Sequence, residues 1–174
     1  MQPVAEYSVT ARPDRCIVEV YDADAYLGDE QALKAAEQHV VAGNGYHVYL
    51  LSLQPDIPVN VTIRLWDGTP PAPPADAEGQ VAVTLESETG ILVVNQLTFG
   101  PAGEVVLPQP GVYTGHAWWA GRQPAKAHYD QILQRITDDW TPGQITEAWA
   151  ESPIQERYVL DLVYTGPPLS DEDD

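Results

Sequence analysis

Residues 105–119 read VVLPQPGVYTGHAWW, and the fold prediction starts from this stretch. A short apolar run is followed by Pro108, and Pro110-Gly111 predicts a turn because proline presets φ and glycine tolerates positive φ. From residue 112 onward, the side chains alternate between two faces, as they do in a β-strand. The stretch therefore predicts a strand, a tight corner and a returning strand at the centre of an antiparallel β-sandwich.

Trp118 and Trp119 are neighbours on the returning strand and must point to opposite faces of the sheet. At most one of them can lie in the sandwich core, and we expect the other to receive the helices that follow. In a chain with one Phe and one Met, tryptophan and tyrosine are expected to build much of the core. The alternative for these rings is stacking on a carbohydrate.

Apolar or alternating runs recur along the chain at spacings of about ten residues, which is typical of a β-sandwich. We predict strands at residues 6–10, 15–21, 47–53, 59–66, 80–86, 91–97, 105–107, 112–119 and 156–164. Thr89-Gly90 between two of these runs predicts a hairpin. Residues 67–79 are rich in proline and predict a stiff surface loop.

Three segments follow a helical period of about 3.6 residues. We predict helices at residues 30–42, 125–137 and 142–151. Asp29 is the expected N-cap of the first helix, and the glycines at 43–45 are expected to end it. Thr141 with Gln144 predicts a capping box at the start of the last helix, with Pro142 at its first position.

These elements predict one mainly-β domain. A length of 174 residues is close to the usual size of a single domain, about 150 residues. We expect the domain to cover residues 1–167, as an antiparallel β-sandwich with one early helix and a two-helix insertion at 121–155 before the last strand. Residues 168–174 predict a disordered acidic tail.

The charge balance limits the partners. The chain has 26 Asp and Glu against 8 Lys and Arg, a formal net charge of −18. Nucleic acid and anionic membranes would repel such a chain, so neither is an expected partner. A basic protein would be attracted, and its association would weaken as salt rises. The alternative is that the acidic residues serve only solubility.

Cysteine count and hydropathy predict the compartment. Cys16 is the single cysteine, which excludes an intrachain disulfide and any multi-cysteine metal site, and it lies in an apolar run typical of a buried thiol. No apolar run has the length of a membrane span, and residues 1–6 do not resemble a secretory signal. We therefore expect a cytoplasmic protein.

Motifs for catalysis are absent from the sequence. There is no G-x-S-x-G elbow, no phosphate-binding loop, and no histidine spacing typical of a metal site. We therefore predict a protein that is not an enzyme and holds no metal or cofactor. The alternative is a sandwich that binds a small ligand with Tyr113, His116 and a carboxylate. A deep pocket in which His47 and His116 converged with carboxylates would favour that alternative.

Acidic residues in loops and on helices, with two tryptophans between them, are the remaining candidates for function. Their chemistry fits a surface that docks a basic nuclease or toxin, with aromatic side chains supplying most of the affinity. The candidate partner-binding residues are Asp22, Asp24, Asp138, Asp139, Trp140, Glu147 and Trp149. The alternatives are a solvated surface, or a homo-oligomer or assembly component that uses residues 121–155 as its contact.

The order of the motifs resembles a known family. They are GDEQAL at 28–33, the strands at 46–51 and 59–66, QVAVTL at 80–85, TGILVV at 89–94, LPxxGxY at 107–113 with Trp118, and ERYVLDL at 156–162. This pattern is similar to the competence protein J family, small sandwich proteins that inhibit a DNA-entry nuclease. The resemblance covers residues 28–120 and 156–165. It implies the sandwich fold and an inhibitory, non-enzymatic role, and it assigns no site residues.

Overall fold

The computed structural model describes residues 2–169, so the predicted acidic tail from residue 170 onward lies outside the described residues. The strands are β1 (Ala5–Ala11), β2 (Ile17–Asp22), β3 (Val41–Gly43), β4 (His47–Leu51), β5 (Val59–Trp66), β6 (Gly79–Ser87), β7 (Ile91–Asn95), β8 (Pro101–Val106), β9 (Gly111–Ala120) and β10 (Arg157–Gly166). The helices are α1 (Glu30–His39), α2 (Arg122–Arg135) and α3 (Pro142–Ala150), with a short 3-10 turn at Leu97–Phe99.

Two five-stranded sheets form the predicted β-sandwich, which is therefore confirmed. The first sheet has the order β1-β5-β10-β9-β6 and the second has the order β3-β4-β2-β7-β8. Neighbouring strands are antiparallel with one exception, since β10 runs parallel to β5. β10 thus lies between β5 on one side and β9 on the other, although the helical insertion separates it from β9 in sequence.

The stretch at 105–119 connects the two sheets. β8 is the edge strand of the second sheet and β9 lies inside the first, so the Pro110-Gly111 corner carries the chain from one sheet to the other. The prediction of a hairpin around Thr89-Gly90 is wrong, because the strands on the two sides of this turn belong to different sheets. β6 pairs with β9 and β7 pairs with β2 and β8, so this turn also crosses between sheets.

The core lies between the sheets and is built from alternate residues of the strands. Trp119 belongs to it together with Tyr113, Tyr158 and the valines and leucines of both sheets. Trp118 lies on the outer face of the first sheet, where its apolar neighbours are Ala120, Val159 and Ala77 of the proline-rich loop. This apolar cluster contains no residue of the helical insertion, contrary to the expected packing.

The first helix ends earlier than predicted. Asp29 caps α1 as expected, since its carboxylate accepts the amides of Gln31 and Ala32 at 2.9 and 3.1 Å. The helix stops because Val40 adopts a left-handed φ of 73°, and Val41 then pairs with β4 as part of β3. Val41 is fully buried in the sandwich core, and this burial overrides the helical pattern.

Candidate functional site

A groove of about 750 Å³ lies between the helical insertion and one end of the sandwich. Its walls are mainly apolar and include Ile57, Leu133, Ile136, Ile145, Trp149 and Ile154. An ion pair between Arg12 and Asp56, with 3.1 Å between Nη2 and Oδ1, also lines the groove. Concave apolar surfaces with a few polar groups are the usual form of binding sites.

α2 is held against the sandwich at its first turn. Gly121 takes a φ of 79°, and the Glu78 carboxylate then accepts the amides of Arg122 and Gln123 at 2.7 and 3.3 Å. A carboxylate at this position also interacts favourably with the helix dipole. The Arg122 side chain donates from Nε to the carbonyl of Leu51 at 3.0 Å, which ties the helix to the end of β4.

α3 packs against α2 and begins as predicted. The capping box is confirmed, since Thr141 and Gln144 exchange side-chain and backbone hydrogen bonds. His128 of α2 contacts the carbonyl of Ala148 through Nε2 at 2.8 Å. The rings of Tyr129 and Trp149 stack with centroids 5.1 Å apart, so one face of Trp149 is covered while the residue still lines the groove.

The structure brings five of the seven predicted partner-binding residues to the helical insertion. Asp138 and Asp139 are exposed in the turn between α2 and α3, and Trp140 beside them is half-buried under the guanidinium of Arg135, 5.9 Å from its ring centroid. Glu147 and Trp149 are two residues apart on α3 and therefore point to different sides of it. The tryptophan lines the groove, while Glu147 is exposed to solvent.

The other two predicted residues lie at the opposite end of the sandwich. β2 starts beside Leu51, where α2 is attached, and ends at Asp22. Asp22 is only 1% exposed, and its carboxylate accepts hydrogen bonds from Ser87 and Thr89 at 2.5 and 2.7 Å. Its role in the described structure is to hold the turn between β6 and β7, which removes it from the acidic surface. Asp24 is exposed but distant from the groove.

Burial and hydrogen bonding act in opposite directions on Asp22. Burial raises the pKa of this carboxyl, whereas the hydrogen bonds from Ser87 and Thr89 lower it, and the net result is a pKa below the usual value. The group therefore stays ionised at neutral pH while it is shielded from solvent. A carboxylate held in this way is typical of a structural anchor.

Sequence reasoning missed a polar cluster on the outer face of the first sheet. Asp161 at its centre is fully buried and accepts two hydrogen bonds from Arg64, Nε to Oδ1 at 2.7 Å and Nη2 to Oδ2 at 3.0 Å. Trp66 and Trp118 donate their indole N–H groups to the same carboxylate, each at 2.9 Å. The Arg64 guanidinium also lies over both indole rings, 5.5 and 5.9 Å from their centroids.

The cluster keeps Asp161 charged. Burial raises the pKa of Asp161, but the hydrogen bonds from Arg64, Trp66 and Trp118 lower it, so that the pKa is below its usual value overall. His116 is next to the carboxylate, with Nε2 at 3.6 Å from Oδ2. That nitrogen is buried and has no hydrogen-bond partner among the described residues.

The two histidines that could have formed a catalytic pocket do not meet. His47 is fully buried on the outer face of the second sheet, between the rings of Tyr21 and Tyr49, and hydrogen bonds to the Glu19 carboxylate. His116 is on the outer face of the other sheet. Within residues 2–169, no three His, Cys, Asp or Glu side chains are grouped to hold a metal ion.

Another buried carboxylate follows directly after Gln155, which lines the groove. Glu156 is 1% exposed and accepts hydrogen bonds from Ser52 at 3.0 Å and from the Tyr158 hydroxyl at 2.6 Å. Burial is the main effect on this group and raises its pKa above the usual value. The hydrogen bond from Ser52 connects the start of β10 to the loop after β4. Residues 56–58 of this loop line the groove.

The fold defines the class of protein: a mainly-β sandwich of two five-stranded sheets, with a two-helix insertion between the last two strands. None of the three helices in the described part of the chain combines the length and the apolar character that a membrane span requires. No protein-family model and no curated protein matches the sequence.

Two solved structures are similar to this chain. One is ComJ from Bacillus subtilis, described as the inhibitor of the DNA degrading activity of NucA, with a TM-score of 0.58, 12% identity, and coverage of 94% of this chain and 98% of that chain. The other is the crocagin biosynthetic gene J product, with a TM-score of 0.52, 15% identity, and coverage of 92% and 99%. The expected resemblance to the competence protein J family is therefore confirmed for the fold.

Proposed function

We propose that this protein is a non-enzymatic, cytoplasmic binding protein, an acidic inhibitor or immunity factor for a basic nuclease or toxin. The observation that carries the proposal is the open, mainly apolar groove of about 750 Å³, which has Trp149 in its wall and exposed carboxylates on the adjoining turn. The likeness to ComJ shows the fold alone, but its description as a nuclease inhibitor agrees with this class of function.

Charge would act first, during the approach of the partner. A net charge of −18 attracts a basic protein over a long range, and the exposed Asp138 and Asp139 add charge at the turn itself. Neither aspartate forms an ion pair with another residue of the described chain, so both are available to the partner's lysines and arginines. Such rim charges govern mainly the association rate.

The groove would then provide the lasting contact. Trp149 is half-buried with one ring face stacked on Tyr129, so it is held in a fixed orientation before binding. Preorganised aromatic side chains in concave surfaces are typical hot spots. Trp140 lies on the same turn as the two aspartates and would contact the edge of the partner. Glu147 would contribute only general charge, because it points away from the groove.

The single cysteine fits the proposed compartment. Cys16 is a free thiol, and burial raises its pKa, which keeps it protonated and unreactive at neutral pH. A reducing compartment such as the cytoplasm is where unpaired thiols of this kind are common. The proposed site includes no role for Cys16.

Binding to a captured partner tests the proposal. The protein is used to capture partners from its native host at low salt, and the purified partner is then titrated with each variant while its nuclease or toxin activity is measured. We expect Asp138→Asn with Asp139→Asn to slow association and to reduce its salt dependence. Trp149→Ala should weaken binding about 30-fold or more, mainly through faster dissociation.

Asp24→Asn is the matched control, since it removes one exposed carboxylate at the opposite end of the sandwich. At equal ionic strength it should leave the binding constant almost unchanged. Circular dichroism of Trp149→Ala checks that the helical insertion is still folded. A partner that binds equally well to all variants, or that is retained fully at high salt, contradicts the proposal.

A further inference from the structure

β6 has an open edge. It is the outermost strand of the first sheet and pairs on one side only, with β9. The amide of Glu86 points away from β9, because it donates to the carbonyl of Gly45 at 2.6 Å. Backbone groups of alternate residues in an antiparallel strand point to the same side, so those of Ala82 and Thr84 also face outward. Among residues 2–169, no strand pairs with that side.

The other three sheet edges carry features that hinder pairing with another chain. β1 presents the exposed charge of Glu6, β3 is only 3 residues long, and β8 begins with Pro101 and pairs irregularly with β7. β6 has 9 residues and an uninterrupted register with β9. Its first seven residues, 79–85, contain neither a charged residue nor a proline.

The open part of β6 is complementary to itself. Residues 80–84 read QVAVT, a sequence whose polarity is the same in both directions around Ala82. Gln80, Ala82 and Thr84 are exposed on the outer face, while Val81 on the core side is only half-buried. In an antiparallel pair centred on Ala82, Gln80 of one copy would face Thr84 of the other, twice, and Val81 would face Val83. Neutral polar pairs and valine pairs both stabilise adjacent strands.

We propose that β6 pairs with β6 of a second copy of this chain, antiparallel and with a two-fold axis at Ala82. The two first sheets then form one continuous ten-stranded sheet. Because the two-fold arrangement uses the same edge of both copies, it closes at the dimer. The groove is lined by residues outside β6, so the dimer does not depend on the proposed function.

Size and charge define the behaviour of this dimer. Pairing over five residues makes an interface below the standard size of about 1,600 Å², so association is transient and depends on concentration. Two chains of net charge −18 repel each other, and salt screens this repulsion. The dimer is therefore strengthened by salt, whereas the contact with a basic partner is weakened by salt, and the two proposals can fail independently.

Sedimentation velocity tests the dimer over a range of protein concentrations at low and high salt. The wild-type mass should rise from 19.0 kDa towards twice that value, and it should rise further at high salt. Ala82→Pro removes a backbone N–H that faces the open edge, and the hydrogen bonds to β9 are kept. This variant should therefore stay monomeric. Ala82→Ser is the matched control, because it keeps the amide and should dimerise like the wild type.

Ala82→Glu keeps the proposal testable in case the proline variant does not fold, since it places two like charges opposite each other at the two-fold axis. It should also remain monomeric. Amide hydrogen exchange gives an independent result: exchange of Ala82 and Thr84 should slow as concentration rises, and that of Glu6 on the opposite edge should not. A wild type that is monomeric at all concentrations and salts, or an Ala82→Glu variant that dimerises normally, overturns the proposal.

Discussion

Replacing Asp161 by asparagine should strongly destabilise the fold, because four donors converge on this carboxylate. Two come from Arg64, one from Trp66 and one from Trp118, and Asp161 itself is fully buried. In either orientation, an asparagine side chain places its NH₂ group where one carboxylate oxygen accepted two of these bonds. One buried indole N–H and one partly buried guanidinium N–H then lose their acceptor. Losing the acceptor of a buried donor costs about 1–3 kcal/mol.

Solvent reduces the loss of unfolding free energy that we expect for Asp161→Asn. Removing one partner of a fully buried ion pair costs about 3–5 kcal/mol. The Arg64 side chain is 25% exposed, so water can solvate part of its charge, and we expect a value near the lower limit, about 3 kcal/mol. For a chain of this length, this corresponds to a fall in Tm of roughly 6–12 °C. Urea unfolding followed by tryptophan fluorescence measures the change.

Asp76→Asn is the matched control for this prediction. Asp76 pairs with Arg157 at 2.6 Å, but the two side chains are 64% and 40% exposed. The same chemical change should therefore reduce the free energy of unfolding by less than about 1 kcal/mol. If the two substitutions have equal effects, the hydrogen bonds to Asp161 do not stabilise the sheet in the way described.

Two further predictions concern the same region. The folded pKa of Asp161 is below its unfolded value, so its stabilisation is fully present above the unfolded pKa and is lost as pH falls through the folded pKa. The difference in unfolding free energy between wild type and Asp161→Asn should stay constant above about pH 5 and shrink below about pH 4, and a difference that grows in acid contradicts this sign. Gly115→Ala should cost about 3 kcal/mol, since a Cβ there would lie 1.9 Å from the carbonyl oxygen of Asp161. Thermal unfolding by circular dichroism checks this value, and an unchanged Tm would mean that β9 and β10 can separate locally.

Local patterns predicted the elements of this protein well where one periodicity acts alone. The alternation over β5 matches the strand Val59–Trp66, and Thr141 with Gln144 correctly marks the start of α3. The helical periodicity predicts a first helix that continues to residue 42. Burial of Val41 in the sandwich core outweighs the helical propensity of this segment, and the local pattern does not predict that burial.

The candidate site was predictable only where its parts are neighbours in sequence. Asp138, Asp139 and Trp140 are consecutive, so their common position in one turn follows from the sequence. Asp22 and Asp24 share the acidic character of this turn. Their charge alone does not predict that they lie at the opposite end of the sandwich. The groove itself needs the turn at 54–58, α2 and α3 in three dimensions.

The amino-acid sequence by itself determined which side chains share a face of a strand and where the helical insertion lies, since both depend on residues close together in the chain. It also determined the acidic character, which follows from composition. Only the tertiary structure decided the order of the strands. Arg64 and Asp161 are 97 residues apart, and they meet because β10 lies parallel to β5 and next to β9. Strand order depends on the packing of the whole core, and therefore neither this cluster nor the open edge of β6 could be derived from a local pattern.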